Sequence, residues 1–208
     1  MDRRTTLQWM LAASASVPAL MRTATGSTTV SAVPTPGYGV DPPLMAPYQS
    51  DQLWPLLLSE GEKRTATVLC DTLIPVDHAS PSASEVGVVA FIDEWVSAPY
   101  PEQLQDRPLI REGLEWIDAQ ARRDYKRSFA DLEEANRARI CDRICDYDRA
   151  RPADREAARF FARFLVLTAA GFYSTPVGRK DLGYIGNVAL ASFEGPPPEL
   201  IRKLGLDQ

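Results

Sequence analysis

The sequence predicts an all-α protein: a single irregular helical bundle of about five main helices, with an extended proline-rich N-terminal arm and an irregular C-terminal tail. Apolar residues recur at helical spacing from residue 59 to residue 173. Prolines and capping residues divide this stretch into segments of helical length. No alternating apolar and polar run is long enough to predict a strand. A chain of 208 residues suits one domain with appendages.

The N-terminal segment, residues 1–32, has the layout of a twin-arginine signal peptide and spacer. Arg3 and Arg4 precede an apolar run from Trp9 to Leu20, and small residues follow. The run is about 12 residues long, whereas a membrane-spanning helix needs about 20, so we expect no permanent anchor. Three alanines are equally suitable cleavage points: Ala19, Ala24 and Ala32. We therefore expect export of the folded protein to the periplasm.

Residues 33–55 form the predicted arm. Prolines at positions 34, 36, 42, 43, 47 and 55 favour extended geometry and exclude a regular helix. The arm also carries apolar side chains, among them Tyr48 and Trp54, which favour a segment lying on a protein surface over a free tether.

The predicted helical domain spans residues 56–208 and opens on a capping box. Ser59 can accept from a first-turn amide and Glu62 can reach back to the start of the helix. We expect this helix to end before Pro75, because the residue before a proline disfavours helical geometry. A second helix is predicted to open at residues 82–85 and to run to Pro99.

Three further helices follow. The third is predicted to start near Asp106, with Pro108 tolerated in its first turn. The fourth covers about Asp131 to Tyr147. The fifth begins at Pro152, and it is apolar on almost every side from Phe160 to Tyr173, so we expect it at the buried centre of the bundle.

The C-terminal tail shows weaker signals. Residues 174–178 and 183–186 are typical of turns, and the prolines at 196–198 cannot continue a helix. A last short helix is predicted from Glu199 to Leu204.

Composition excludes several classes of function. The chain has 23 Lys and Arg against 28 Asp and Glu, and this net charge of −5 argues against nucleic acid or an anionic membrane surface as a partner. One histidine and three cysteines exclude His-rich metal sites, four-cysteine zinc sites and a dense disulfide framework. Asp142, Asp146 and Asp148 lack the spacing of a calcium loop. We therefore predict no metal and no cofactor in this chain.

Asp77 and His78 are the one candidate catalytic pair. A carboxylate beside a histidine can orient an imidazole as a base. The pair lies in a proline-bounded turn, however, and no serine or cysteine stands at a diagnostic spacing. We predict no catalytic residue.

The cysteines leave alternatives open. Cys141 and Cys145 are four residues apart, so we expect them on one helix flank and poorly placed to bond with each other. Buried unpaired thiols are one interpretation. In an oxidising compartment, a disulfide from Cys70 to one of them or a bond to a partner chain is the other.

Three segments together resemble the gluconate 2-dehydrogenase subunit 3 family. The first comprises CDTLIP at 70–75, PSASEVGV at 81–88 and FID at 91–93; the second is the helix at 129–144; the third comprises FYSTPVG at 172–178 with GYIG at 183–186. The resemblance covers roughly residues 53–190, and a twin-arginine start is usual for this family. These motifs are structural, and they supply no catalytic, cofactor or metal residues to carry over.

The resemblance implies a role beside a larger protein. Family members are small subunits of periplasmic sugar and polyol dehydrogenases, whose large subunit is of the glucose-methanol-choline (GMC) type and holds FAD. A cytochrome subunit with haem c commonly passes the electrons to the respiratory chain. The small subunit is thought to assist maturation and to export the flavin subunit, which lacks its own signal. Membrane association would then be indirect, at the inner membrane through the complex.

We expect the partner surface to lie on the arm and on the tail at 171–198; the alternative is that both cover the chain's own core. The candidate interface residues are Tyr48, Trp54, Phe172, Tyr173, Tyr184 and Phe193. Two competing hypotheses remain. One is a stand-alone secreted helical enzyme using Asp77 and His78. The other is a secreted protein that binds a small molecule in a pocket among Trp116, Phe160 and Phe164.

Overall fold

Five helices of nine or more residues build the domain in the computed structural model, which describes residues 9, 53–184, 195 and 198–203. They are α1 (Glu60–Leu73), α2 (Val88–Ser97), α3 (Pro101–Tyr125), α4 (Glu134–Asp142) and α5 (Arg155–Ser174). Two short helices follow, α6 (Pro176–Asp181) and α7 (Pro198–Lys203). These described ranges contain no strand, and the predicted all-α bundle with five main helices is confirmed.

The start of α1 is the predicted capping box. The Ser59 hydroxyl accepts from the Glu62 amide at 3.3 Å, and the Glu62 carboxylate accepts from the Ser59 amide at 2.8 Å. Both bonds satisfy amides that have no partner inside the helix. The helix ends at Leu73, two residues before Pro75, as the proline rule predicts.

The start of α2 lies later than predicted. Residues 83–87 form a turn because Asp71 of α1 accepts from the Ser84 amide at 2.9 Å and from the Ser84 hydroxyl at 2.7 Å. Gly87 then adopts a φ of 86°, a left-handed conformation that an α-helix cannot contain. The helix therefore starts at Val88, and the predicted opening at 82–85 is wrong.

The start of α3 lies earlier than predicted. Pro101 occupies the first helical position, where its missing N–H costs nothing, so the helix begins five residues before Asp106 and runs for 25 residues. Pro108 consequently lies inside the helix rather than in its first turn. Asp106 does not cap a helix; its carboxylate accepts from Trp95 Nε1 and from Arg163 Nε, each at 2.8 Å.

The end of α4 also corrects the prediction. The helix stops at Asp142 rather than Tyr147, because the Asp146 carboxylate accepts from the amides of Asp148 at 3.0 Å and Arg149 at 3.2 Å. Such local bonds offer the backbone an alternative to the helix. Cys141 therefore lies in the last turn of α4 and Cys145 in the turn that follows, not on one helix flank.

The helix with the most buried phenylalanines, α5, is the centre of the bundle, and it packs against α1, α2, α3 and α6. Its largest buried side chains are Phe160, Phe161, Phe164 and Phe172. This confirms the predicted buried helix, but residues 174–178 are not all turn: Thr175 accepts from the Gly178 amide at 3.0 Å and caps α6. Within the described residues, no helix combines the length and apolarity that a membrane span requires.

Buried polar groups tie the surrounding helices together. Asp93 of α2 is 1% exposed, and its carboxylate accepts from the Leu58 amide at 3.0 Å and lies 3.4 Å from Lys63 Nζ. The Asp93 charge raises the pKa of Lys63 above its ordinary value. Arg107 of α3 donates to the Val96 carbonyl at 2.7 Å and so satisfies the C-terminal end of α2.

We predict that Gly113→Ala destabilises the domain by about 1–3 kcal/mol, as overpacking of a core does. A Cβ at Gly113 of α3 would collide with the Phe160 ring of α5. Urea unfolding followed by circular dichroism measures the change.

Gly61→Ala is the matched control, because a Cβ at Gly61 of α1 meets nothing within 4 Å. Alanine is the better helix former, so this variant should be unchanged or more stable by up to about 1 kcal/mol. Equal unfolding midpoints for the two variants would contradict the close approach of α3 and α5.

Candidate functional site

In the Asp77–His78 turn, the Asp77 carboxylate binds backbone amides of the turn itself. One Asp77 carboxylate oxygen accepts from the amides of Ala79 at 2.8 Å and Ser80 at 2.9 Å, so it shapes the turn. His78 is exposed on the same turn. This geometry supports a turn-forming role for Asp77.

The acidic residues at and after the end of α4 have separate partners. Asp142 Oδ1 accepts a hydrogen bond from Trp9 Nε1 at 2.9 Å. The Asp146 carboxylate accepts hydrogen bonds from the two backbone amides described above. Across residues 9, 53–184, 195 and 198–203, no three His, Cys, Asp or Glu side chains group so as to hold a metal ion.

The aromatic residues considered as a ligand pocket are core. Phe160 and Phe164 are fully buried, with ring centroids 5.5 Å apart, and Phe160 also packs closely on Gly113. The Arg143 guanidinium lies over the partly buried Trp116 ring at 5.9 Å from its centroid. These side chains pack on one another, so the geometry favours a filled core over a binding cavity.

A polar hollow of about 340 Å³ lies between the start of α1 and α3. Four of its charged side chains form two ion pairs: Arg111 with Glu62 at 2.8 Å, and Arg122 with Asp118 at 2.7 Å. Burial raises the pKa of Glu62, but hydrogen bonds from Arg111 and Ser59 outweigh it and leave the pKa below its ordinary value. Internal pairing of this kind leaves little charge to attract a ligand.

The three cysteines are free thiols in different environments. Cys70 is fully buried 3.8 Å from Thr168 Oγ1, and burial raises its pKa to about 12. Cys141 is fully buried, and burial likewise raises its pKa. Cys145 is half-buried, and burial and then the charges of Asp142 and Asp146 raise its pKa. None of the three environments favours a thiolate at neutral pH.

The predicted interface residues differ widely in their exposure to solvent. Trp54 is 8% exposed and meets the Tyr100 ring edge-on at 5.8 Å, and Phe172 is fully buried with its ring 5.1 Å from that of Tyr173. Tyr184, by contrast, is 58% exposed. Tyr48 and Phe193 lie outside the described residues, as do Arg3 and Arg4 of the predicted signal.

Other large apolar side chains also reach the surface, among them Val76 in the turn after α1. Leu182 lies just after α6, beside Tyr184 in the sequence, and is 62% exposed. Tyr100 and Leu104 at the start of α3 are exposed, as is Val166 on α5, one turn beyond the Arg163 that pairs with Asp106. Sequence reasoning missed Leu104, Val166 and Leu182. For Val166 the reason is that the pattern of α5 is apolar on almost every side and so predicts no exposed face.

A family model described as Gluconate 2-dehydrogenase subunit 3 matches residues 60–190, more than half of the chain. The chain belongs to this family. The match begins at the first residue of α1 and continues beyond α6, so it covers the helical bundle described above. No curated protein and no solved structure gives a significant match.

Membership of the gluconate 2-dehydrogenase subunit 3 family confirms the resemblance carried by the sequence motifs. By its name, the family consists of subunits of a dehydrogenase complex. For such a subunit, the exposed apolar surface is a more relevant functional feature than a cluster of catalytic groups.

We predict that one thiol of this subunit 3 protein reacts in the native state. Cys145 should react slowly with a disulfide reagent such as dithionitrobenzoate, because it is half-buried beside two carboxylates. Cys70 and Cys141 should react only after unfolding in urea, because both are fully buried. The absorbance of the released thiolate counts the reacting groups.

Cys145→Ser is the control, and it should remove all native-state reaction while leaving the two thiols that appear in urea. Rapid native reaction of two or more thiols would contradict the described burial of Cys70 and Cys141.

Proposed function

We propose that this chain is the non-catalytic small subunit of a periplasmic, FAD-dependent dehydrogenase complex that oxidises a sugar or polyol hydroxyl. Its large subunit would be of the GMC type, and a cytochrome subunit with haem c would take the electrons to the respiratory chain. The small subunit would assist maturation of the flavin subunit and carry it through the twin-arginine route. FAD would be held by the large subunit.

The observation that carries the proposal is the family match over residues 60–190. The N-terminal sequence adds independent support, since Arg3 and Arg4 before an apolar run are typical of a signal for folded cargo. This chain has no cofactor motif that would require folding before export. The signal is explained if the partner is the protein that must fold before both are exported.

The exposed apolar side chains suggest where the large subunit binds. Leu182 and Tyr184 are 62% and 58% exposed at the end of the bundle, in the part of the tail where sequence reasoning expects the interface. A stable subunit contact buries about 1,200–2,000 Å² in total, with aromatic and aliphatic anchors near its centre. We propose this end of the domain as part of that contact.

We predict that the chain, expressed with its neighbouring reading frames, purifies from the periplasm with a larger flavin-containing protein. Replacing Arg3 and Arg4 by lysine should remove both proteins from the periplasm, because the larger one depends on this signal. Gel analysis, the visible flavin spectrum and dye-linked oxidation of sugars and polyols record the outcome.

His78→Ala is the control for the competing enzyme hypothesis, and it should leave the complex and its activity unchanged. A colourless monomer in the periplasm would contradict the proposed role.

We also predict that Leu182→Asp combined with Tyr184→Asp weakens retention of the large subunit by about tenfold or more, the loss typical of interface anchors. Val76→Asp is the matched control, since Val76 is also exposed, at 65%, but lies in the turn after α1. Affinity purification through a tag on the small subunit gives the ratio of the two chains. Equal ratios for both variants would place the interface elsewhere.

A further inference from the structure

Trp9 of the predicted signal segment is packed on the helical domain. Its side chain is 3% exposed and belongs to the buried core. Its ring meets the Phe161 ring of α5 edge-on, with centroids 5.8 Å apart and an interplanar angle of 85°. Its Nε1 donates to Asp142 Oδ1, at the end of α4, at 2.9 Å.

The length of the chain does not impose this contact. Roughly 40 residues separate Trp9 from Leu53, and a chain of that length can span about 140 Å. A domain of about 130 residues has a radius of gyration of only about 14 Å. The linker could therefore reach any part of the domain surface, and local chemistry selects the place where Trp9 binds.

Two interactions make the site selective for an indole. An edge-to-face pair of aromatic rings is favourable because the positive ring edge meets the negative ring face. A hydrogen bond to a carboxylate is stronger than one between neutral groups, and the indole N–H can only donate. Phe161 and Asp142, hereafter the indole seat, thus match both parts of a tryptophan side chain.

The indole seat has an open side. A depression of about 610 Å³ borders Trp9, and its other lining residues come from the segment after α4 and from the approach to α5: Asp142, Arg143, Cys145, Asp146, Arg149 and Arg151. The site of Trp9 is therefore bordered by an opening on the protein surface.

We propose that Trp9 in the indole seat is a latch that holds the signal segment against the folded lone subunit and so delays its export. The inference rests on the proposed function, because it takes residues 1–32 as a twin-arginine signal. Arg3 and Arg4 precede Trp9 by only a few residues, and covalent geometry keeps them within about 20 Å of it. A signal segment fixed to the domain in this way is not free to enter a receptor until Trp9 leaves.

The first test observes the latch directly in the full-length precursor, purified from the cytoplasm without a partner and labelled with 5-fluorotryptophan. The chain has four tryptophans, and Trp9→Phe assigns the Trp9 fluorine resonance. We expect that resonance to be displaced from its position in the urea-unfolded chain. Asp142→Ala should move it towards that position while the other three resonances stay unchanged.

The second test measures export. Asp142→Ala leaves the signal sequence intact and removes the acceptor, so the pulse-labelled precursor should reach the periplasm about tenfold faster or more, as loss of a hydrogen bond to a charged group implies. Asp142→Asn keeps a neutral acceptor, so its export rate should fall between those of the wild type and of Asp142→Ala. Asp148→Ala, at an exposed aspartate outside the depression, should match the wild type.

Two results would overturn the latch: a Trp9 resonance at the unfolded position in the wild-type precursor, or unchanged export of Asp142→Ala alongside a released Trp9. Failure of the proposed function looks different. If Arg3→Lys with Arg4→Lys leaves export of every variant unchanged, the twin-arginine route is wrong and the latch cannot control it, whatever the fluorine spectrum shows.

Discussion

The need to enclose α5 governs the rest of this structure. A helix that carries four fully buried phenylalanines needs most of its surface covered, so α1, α2 and α3 pack around it. Close packing then limits the side chains at each crossing. At the crossing with α3, Phe160 of α5 takes the space that a side chain at Gly113 would need, which fixes how near the two helices lie.

Apolar packing around one helix does not by itself select a single arrangement of the surrounding helices. The buried charged groups do, because each needs particular partners. The Asp106 carboxylate of α3 accepts hydrogen bonds from Trp95 of α2 and from Arg163 of α5, so a single side chain joins three helices. The Arg163 guanidinium also lies 5.4 Å from the Trp95 ring centroid. A buried carboxylate left without these partners would be costly, so other arrangements of the same helices are disfavoured. The arrangement of helices selected in this way also determines which side chains remain on the surface, such as Leu104 and Val166.

Sequence reasoning predicted what depends on neighbours in the chain. The capping box of α1, the proline stop after it and the apolar α5 all follow from local pattern. The boundaries that failed depend on distant groups or on local competition: Asp71 bonds Ser84 and delays α2, and Asp146 ends α4 through its own turn. The contact between Trp9 and Asp142 was harder still to predict, because the two residues are 133 positions apart and no periodicity links them. A single carboxylate partner so far away in the chain has no sequence signature.

The place of Phe161 late in the chain sets an order of events during synthesis. Trp9 leaves the ribosome first, whereas Phe161 is made roughly 150 residues later, about 8–30 s at ordinary elongation rates. For that interval Trp9 has no indole seat to occupy, and the bundle has no central helix to fold around. Any factor that binds the residues around Trp9 during translation therefore meets them before the domain can compete, and slower elongation lengthens that interval.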